Sequence, residues 1–129
     1  AIPVLRAQGR GGAILNISST GALRPRPGLT WYNATKGAVS TATKGMAVEL
    51  APDRIRVNAI APVAVDTPLL ATFMGGAETP EMRAAFEATV PLGRLGRPAD
   101  TAEAALYLCS DAAEFLTGVI LEVDGGRCI

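Results

Sequence analysis

Short apolar runs alternate along this chain with longer stretches of helical spacing. The order they predict is helix, strand, helix, strand, short helix, helix, strand. Residues 1–8 read as the end of a helix, and Gly9-Arg10-Gly11-Gly12 as the turn after it. Ala13 to Ser18 is a short, nearly continuous apolar run, the pattern of a strand buried on both faces. A loop rich in Gly, Pro and Arg follows from Thr20 to Gly28, and Thr30 is positioned to cap a helix from about Trp31 to Leu50. Small residues along that helix, Ala34, Gly37, Ala38, Thr41, Ala42 and Gly45, permit close packing. Pro52 ends it, because the residue before a proline is pushed out of the helical region.

A second strand is predicted over Arg54 to Ala61, stopped by Pro62. From Ala64 to about Pro98 the pattern loosens, with one short helix near Glu81 to Val90 started by Thr79 and Pro80. So long an excursion inside a compact domain suggests a lid or substrate loop over about 64–98. Pro98 to Ser110 reads as the last helix, with Asp100 in its first turn, where negative charge is favoured. Thr117-Gly118 then turns into a third strand, Val119 to Val123, closed by Asp124-Gly125-Gly126. Alternating strands and helices define an α/β fold with a parallel sheet. Three strands do not complete a doubly wound one.

Composition narrows the function classes. The 129 residues suit a single domain, and 49% hydrophobic against 19% charged residues describes a packed interior rather than a disordered chain. Twelve basic and twelve acidic residues cancel, so neither nucleic acid nor an anionic membrane is an expected partner. No run reaches the ~18 to 20 apolar residues of a membrane span, and the first residues lack the basic-then-apolar order of a signal peptide. The expected location is cytoplasmic. Cys109 and Cys128 have no metal-ligand spacing and are too few for a disulfide framework. The chain has no histidine, which excludes a Ser-His-Asp triad and the usual zinc sites, so no metal is expected.

Acid/base chemistry must then use other groups. Tyr32 and Lys36 lie four residues apart on one predicted helix and project from the same face. An ammonium ~4 Å from a phenolate, at an effective dielectric of ~20, stabilises it by about 4 kcal/mol. Ser19 precedes Tyr32 by thirteen residues and stands at the carboxyl end of a parallel strand, where open α/β sheets place ligands. The turn Pro62 to Thr67 follows the next strand at the same edge.

Taken in order, Asn16-Ile17-Ser18-Ser19, Tyr32-Asn33-Ala34-Thr35-Lys36, Arg56 to Pro62 with Thr67, Leu92-Gly93-Arg94 and Asp124-Gly125-Gly126 resemble the short-chain dehydrogenase/reductase superfamily. The resemblance covers essentially the whole chain and corresponds to the C-terminal half of that family's domain. It is nearest to the ketoacyl-reductase and glucose-dehydrogenase-like members. It implies a partial Rossmann-like doubly wound parallel sheet, residues 1–129 being one part of a single NAD(P)-dependent domain. It also implies hydride transfer between nicotinamide and a carbonyl or secondary alcohol. Tyr32 would be the acid/base, Lys36 would contact the cofactor ribose, and Ser19 would hydrogen-bond the reacting oxygen. Ser18 is one residue too far from Tyr32 for that role. Pro62, Val63, Val65 and Thr67 would hold the carboxamide of NAD or NADP. Val63 stands where the family commonly has glycine, and a β-branched residue resists positive φ.

The Gly-rich pyrophosphate turn of the family has no counterpart, since Gly9 to Gly12 leads into a strand rather than following one. The chain alone is therefore expected to be inactive and, with a sheet edge open, prone to associate. The apolar Leu69, Leu70, Phe73 and Met74, with Trp31 beside Tyr32, read either as walls for a hydrophobic small-molecule substrate or, by preference, as side chains that pack the lid down. Arg24 and Arg26 read either as anchors for an acidic substrate group or, by preference, as solvated side chains. The family resemblance implies a homo-oligomer, dimer or tetramer. The alternative to an enzyme is a non-catalytic fragment or oligomerisation module of the same fold. Enoyl reductases of the superfamily space their tyrosine and lysine more widely, which points away from them.

Overall fold

The structure, a computed structural model, describes residues 1–73, 76 and 79–129, Phe73 by its backbone alone. Helix α1 (Ile2–Gln8) ends at Gly9, whose positive φ of 64° closes the helix in the left-handed region. Strand β1 (Gly12–Ile17) leads through a short 3-10 turn to helix α2 (Thr30–Leu50). Strand β2 (Ile55–Pro62) follows, then helices α3 (Leu70–Phe73), α4 (Pro80–Glu87) and α5 (Pro98–Cys109), and finally strand β3 (Ile120–Val123). The strands lie in the order β1-β2-β3, all parallel, with Gly12 opposite Ile55 and Ala59 opposite Ile120.

Alternation along β2 assigns the two faces. Ile55 and Val57 pack with Ala47 and Leu50 of α2, and Ile2, Leu5, Ile14 and Met46 close over them. On the other face Arg56 donates to the carbonyls of Leu108 (2.7 Å) and Ser110 (3.0 Å), satisfying the end of α5. Buried Asn58 donates to Leu116 O and accepts from Val119 N, fastening β3 to the central strand. Helices on both faces of a parallel sheet are the α/β arrangement the sequence predicts.

Three sequence expectations need correction. Thr30 is the first helical residue rather than the cap. The flanking residue is Leu29, which makes no side-chain capping bond, so the helix starts one residue early. Strand β1 is not buried on both faces: Gly12 to Asn16 are half-buried and Ile17 is exposed. The reason is its position, since β2 pairs with one edge and no described strand flanks the other. Arg54 lies outside β2, because its φ of 57° makes it the left-handed cap of the turn at Ala51–Asp53.

The segment between β2 and α5 is only partly irregular. Thr79 caps α4 by accepting from Met82 N at 3.2 Å, as its position before Pro80 suggests. The helix ends at Glu87, short of Val90. Residues 64–66 are pinned by an isolated parallel bridge between Val65 and Gly96, with Asp66 N donating to Gly96 O and Gly96 N to Ala64 O. Met74 lies outside the described residues. Among the described residues no helix is long and apolar enough to cross a membrane.

Candidate active site

Strand β1 delivers two adjacent serines to the carboxyl edge of the sheet, and the backbone sends them to different tasks. Ser18 is 2% exposed, with its Oγ 2.7 Å from Ser40 Oγ and within reach of the Lys36 carbonyl, so it rivets β1 to α2. Asn16 does the same one pleat earlier, donating to Thr43 Oγ1 at 2.9 Å. Ser19 faces the opposite way. Its Oγ accepts from Gly21 N at 3.1 Å, capping the turn Thr20–Ala22, and no described residue accepts its proton.

Tyr32 and Lys36 stand one turn apart near the start of α2. Lys36 Nζ donates to the Ile17 carbonyl at 2.9 Å and lies 5.8 Å from the centroid of the Tyr32 ring. The last carbonyl of β1 thus fixes the ammonium beside the phenol. Gly21 packs between Tyr32 and Ser19: an added Cβ would lie 3.4 Å from Tyr32 Cε1 and from Ser19 Oγ.

These groups open onto one cavity of about 340 Å³. Ser19, Tyr32 and Lys36 form one wall, and Pro62, Val63, Val65 and Thr67 line it from the end of β2. Leu69 and buried Leu70 line it from the segment beyond. Val63 N donates to Val123 O, which continues the β2–β3 ladder past Pro62. Arg54 is the only non-glycine residue with positive φ among those described, so Val63 needs no glycine-like backbone. Thr67 Oγ1 donates to Val65 O at 3.3 Å, which holds the turn.

Trp31 is not in the cavity. It is 83% exposed, because successive helical residues point about 100° apart and Tyr32 takes the inward direction. The side chain of Phe73 lies outside the described residues. Reading the sequence missed Phe86, Arg127 and Cys128, which line the cavity from α4 and from the turn after β3. Their distance along the chain from Tyr32 hid them. The repeated glycines before Arg127 were the available signal, since they mark a turn at the same carboxyl edge.

The described residues fit one end of a nicotinamide cofactor. Tyr32, Lys36 and the β2 terminus surround a cavity beyond the carboxyl ends of parallel strands. Among the described residues the glycine turn before β1 forms no such cradle for the diphosphate end. An added Cβ on Gly11 would lie 2.4 Å from Arg54 O, and Gly12 N donates to that same carbonyl. This glycine turn therefore seals the opposite, amino edge of the sheet.

Glu122, Asp124 and Cys128 bring three possible metal-ligand atoms within 4.8 Å of one another. Both Asp124 oxygens, however, accept backbone amides, from Gly126 at 2.9 Å and Cys128 at 2.8 Å. Burial, and then Asp124, push the Cys128 thiol up to about 11, so it is protonated at neutral pH. The cluster is a capped turn.

Fold and site together define a parallel α/β domain with a serine at the end of β1 and a tyrosine and lysine on the helix that follows it. The family model described as Enoyl-(Acyl carrier protein) reductase matches residues 1–127. The chain belongs to the short-chain dehydrogenase/reductase family. It is 49% identical over its full length to the 4-formylbenzenesulfonate dehydrogenase of Comamonas testosteroni, 51% of which it covers. The crystal structure of a 3-ketoacyl-(acyl-carrier-protein) reductase from Brucella melitensis complexed with NADH superposes with a TM-score of 0.90 at 54% identity. That match covers 99% of this chain and 50% of the other. The aldohexose dehydrogenase of Thermoplasma acidophilum gives a TM-score of 0.90 at 34% identity, covering 98% and 51%. The chain spans about half the length of the relatives it matches.

Proposed function

We propose that this chain carries the catalytic half of an NAD(P)-dependent oxidoreductase that interconverts a carbonyl and an alcohol. The observation that carries this reading is the convergence of Ser19, Tyr32 and Lys36 on one cavity at the carboxyl ends of β1 and β2. When bound, nicotinamide supplies or accepts the hydride. In the reducing direction Tyr32 donates its phenolic proton to the substrate oxygen as negative charge gathers there. Ser19 donates a hydrogen bond to the same oxygen, using the proton that no described residue takes. Lys36, fixed by Ile17 O, keeps a positive charge beside the phenolate that remains. Pro62, Val63, Val65 and Thr67 would hold the nicotinamide carboxamide, and Leu69 and Leu70 would bound the substrate.

The reacting bond is C=O rather than C=C in this reading, although the matching family model carries an enoyl-reductase description. The four-residue spacing of Tyr32 and Lys36 supports that choice, as do the dehydrogenase and ketoacyl-reductase names of the relatives. The dinucleotide's diphosphate is bound by residues outside this chain, and the active enzyme is a cytoplasmic homo-oligomer. Exposed Val48, Leu106, Tyr107 and Phe115 support an assembly surface.

The test is reduction of a panel of aldehydes and ketones by the full-length enzyme with NADH and with NADPH. Turnover that Tyr32→Phe lowers by about 10²-fold or more is the expected result. An unaffected Tyr32→Phe enzyme would overturn the assignment. A full-length protein that assembles but reduces nothing would favour the oligomerisation-module alternative.

A further inference from the structure

We propose that the substrate of this site bears a negatively charged group, a carboxylate or sulfonate, anchored at the cavity mouth by Arg24, Arg26 and Arg127. The inference rests on the oxidoreductase reading of the cavity and adds the chemical class of its substrate.

Arg24, Arg26 and Arg127, from two distant segments, all line the cavity. Arg24 Nη1 donates to the Arg127 carbonyl at 2.5 Å, joining the loop after β1 to the turn after β3. The guanidinium carbons of Arg26 and Arg127 lie 5.4 and 5.5 Å from the centroid of one ring, Phe86, which orients both. Asn33 Nδ2 donates to Arg26 O at 3.1 Å and fixes that backbone to the residue following Tyr32. The anchor is therefore braced against the helix that carries the acid/base.

Among the described residues no carboxylate forms an ion pair with Arg24, Arg26 or Arg127. The cavity lining contains Arg24, Arg26, Arg127 and Lys36 and no Asp or Glu. Exposed Glu122 clusters with Asp124 and Cys128 and is not in the lining; other acids of these segments are engaged. Asp66 and Glu87 pair with Arg83, and Asp124 accepts the amides of Gly126 and Cys128. Like charges held together without a counter-ion repel, and an anion between them removes that cost while gaining charge-assisted hydrogen bonds. The same lining includes the apolar side chains of Leu29, Leu69, Leu70 and Phe86. A compact hydrophobic carbonyl with an anionic far end matches a lining that combines arginines, apolar side chains and the Ser19–Tyr32 pair.

The test uses the full-length enzyme and two isosteric aldehydes, 4-formylbenzoate and 4-formylbenzamide, together with their unreactive methyl analogues 4-methylbenzoate and 4-methylbenzamide. The expected kcat/KM ratio favours the carboxylate by tenfold or more, and falls toward one as salt rises or in Arg26→Met/Arg127→Met. Arg26→Lys keeps part of the preference, and KM for the nicotinamide cofactor stays unchanged in all variants. Calorimetry should show the benzoate binding at least tenfold tighter than the benzamide, which needs no turnover. Equal kcat/KM and equal binding for the two members overturn the inference and leave the redox reading standing. A rise in cofactor KM with the substrate ratio intact also overturns it, assigning the arginines to a cofactor phosphate. Selective benzoate binding without turnover of either aldehyde retains the anion site and removes the redox reading.

Discussion

Lys36 Nζ is anchored by the carbonyl of Ile17 at 2.9 Å, so the last residue of β1 determines where the ammonium sits beside Tyr32. The side chain does two jobs at once: it satisfies a strand-end carbonyl and supplies charge near the phenol ring, 5.8 Å from its centroid. Lys36→Met should remove both. In the full-length enzyme kcat is expected to fall about 10²-fold, while Lys36→Arg recovers part of the activity. A Met variant with wild-type kcat would end the catalytic assignment of this lysine.

Gly21 is the tightest backbone approach in the site. An added Cβ would sit 2.8 Å from Asn33 Oδ1 and 3.4 Å from Ser19 Oγ and Tyr32 Cε1. Asn33 has little room to yield: its Oδ1 is buried without a hydrogen-bond partner, and its Nδ2 is bonded to Arg26 O. Gly21→Ala should therefore shift Ser19 or Tyr32 and lower kcat/KM about tenfold or more, since small misplacements at reacting groups are costly. Activity within twofold of wild type would mean the wall adapts.

Asp100 links stability to pH. Its carboxylate pairs with Arg94 at 2.6 and 3.0 Å and accepts the Arg97 amide at 2.7 Å. The Arg94 hydrogen bonds, then that amide, hold its pKa at about 2, below the ordinary 3.8. A lowered folded-state pKa means that the unfolded chain binds more protons. The contribution is present above the unfolded value and is lost as pH falls from about 4 toward 2. Asp100→Asn should flatten the dependence of the urea midpoint on pH in that window. Identical slopes for the variant and wild type would contradict it.

The two thiols should differ sharply in reactivity. Cys109 is exposed, whereas burial and Asp124 raise the Cys128 thiol to about 11. Iodoacetamide at pH 8.5 should label Cys109 first, and Cys128 only at much higher pH or after unfolding. Faster labelling of Cys128 in the folded protein would show that the turn after β3 opens.

Gly125 has a φ of 62°, and an added Cβ would stand 2.7 Å from Val90 Cγ1. Gly125→Ala combines left-handed strain with a clash, so a loss of about 1 to 3 kcal/mol is expected in denaturant unfolding. The same turn carries Arg127, so the variant should also weaken 4-methylbenzoate binding. An unchanged midpoint would show that Val90 moves aside at no cost.

Much of this protein was determined by local sequence alone. Apolar runs of strand length, helical spacing, Thr79-Pro80 and Pro98 define which segments are strands and which are helices, because these choices depend on neighbours one to four residues away. The same locality placed Tyr32 and Lys36 on one helical face. Tertiary structure decided everything that depends on distant partners. It turned Ser18 into α2 and Ser19 into the cavity, left Trp31 outside, and half-exposed β1 along an edge without a described neighbour. It also brought Arg127 to Arg24, which bonds its carbonyl 103 residues away in the chain, and set Arg26 and Arg127 over the Phe86 ring. Periodicity carries no information about such encounters, since the three arginines meet only because parallel strands deliver their following loops to one edge of the sheet.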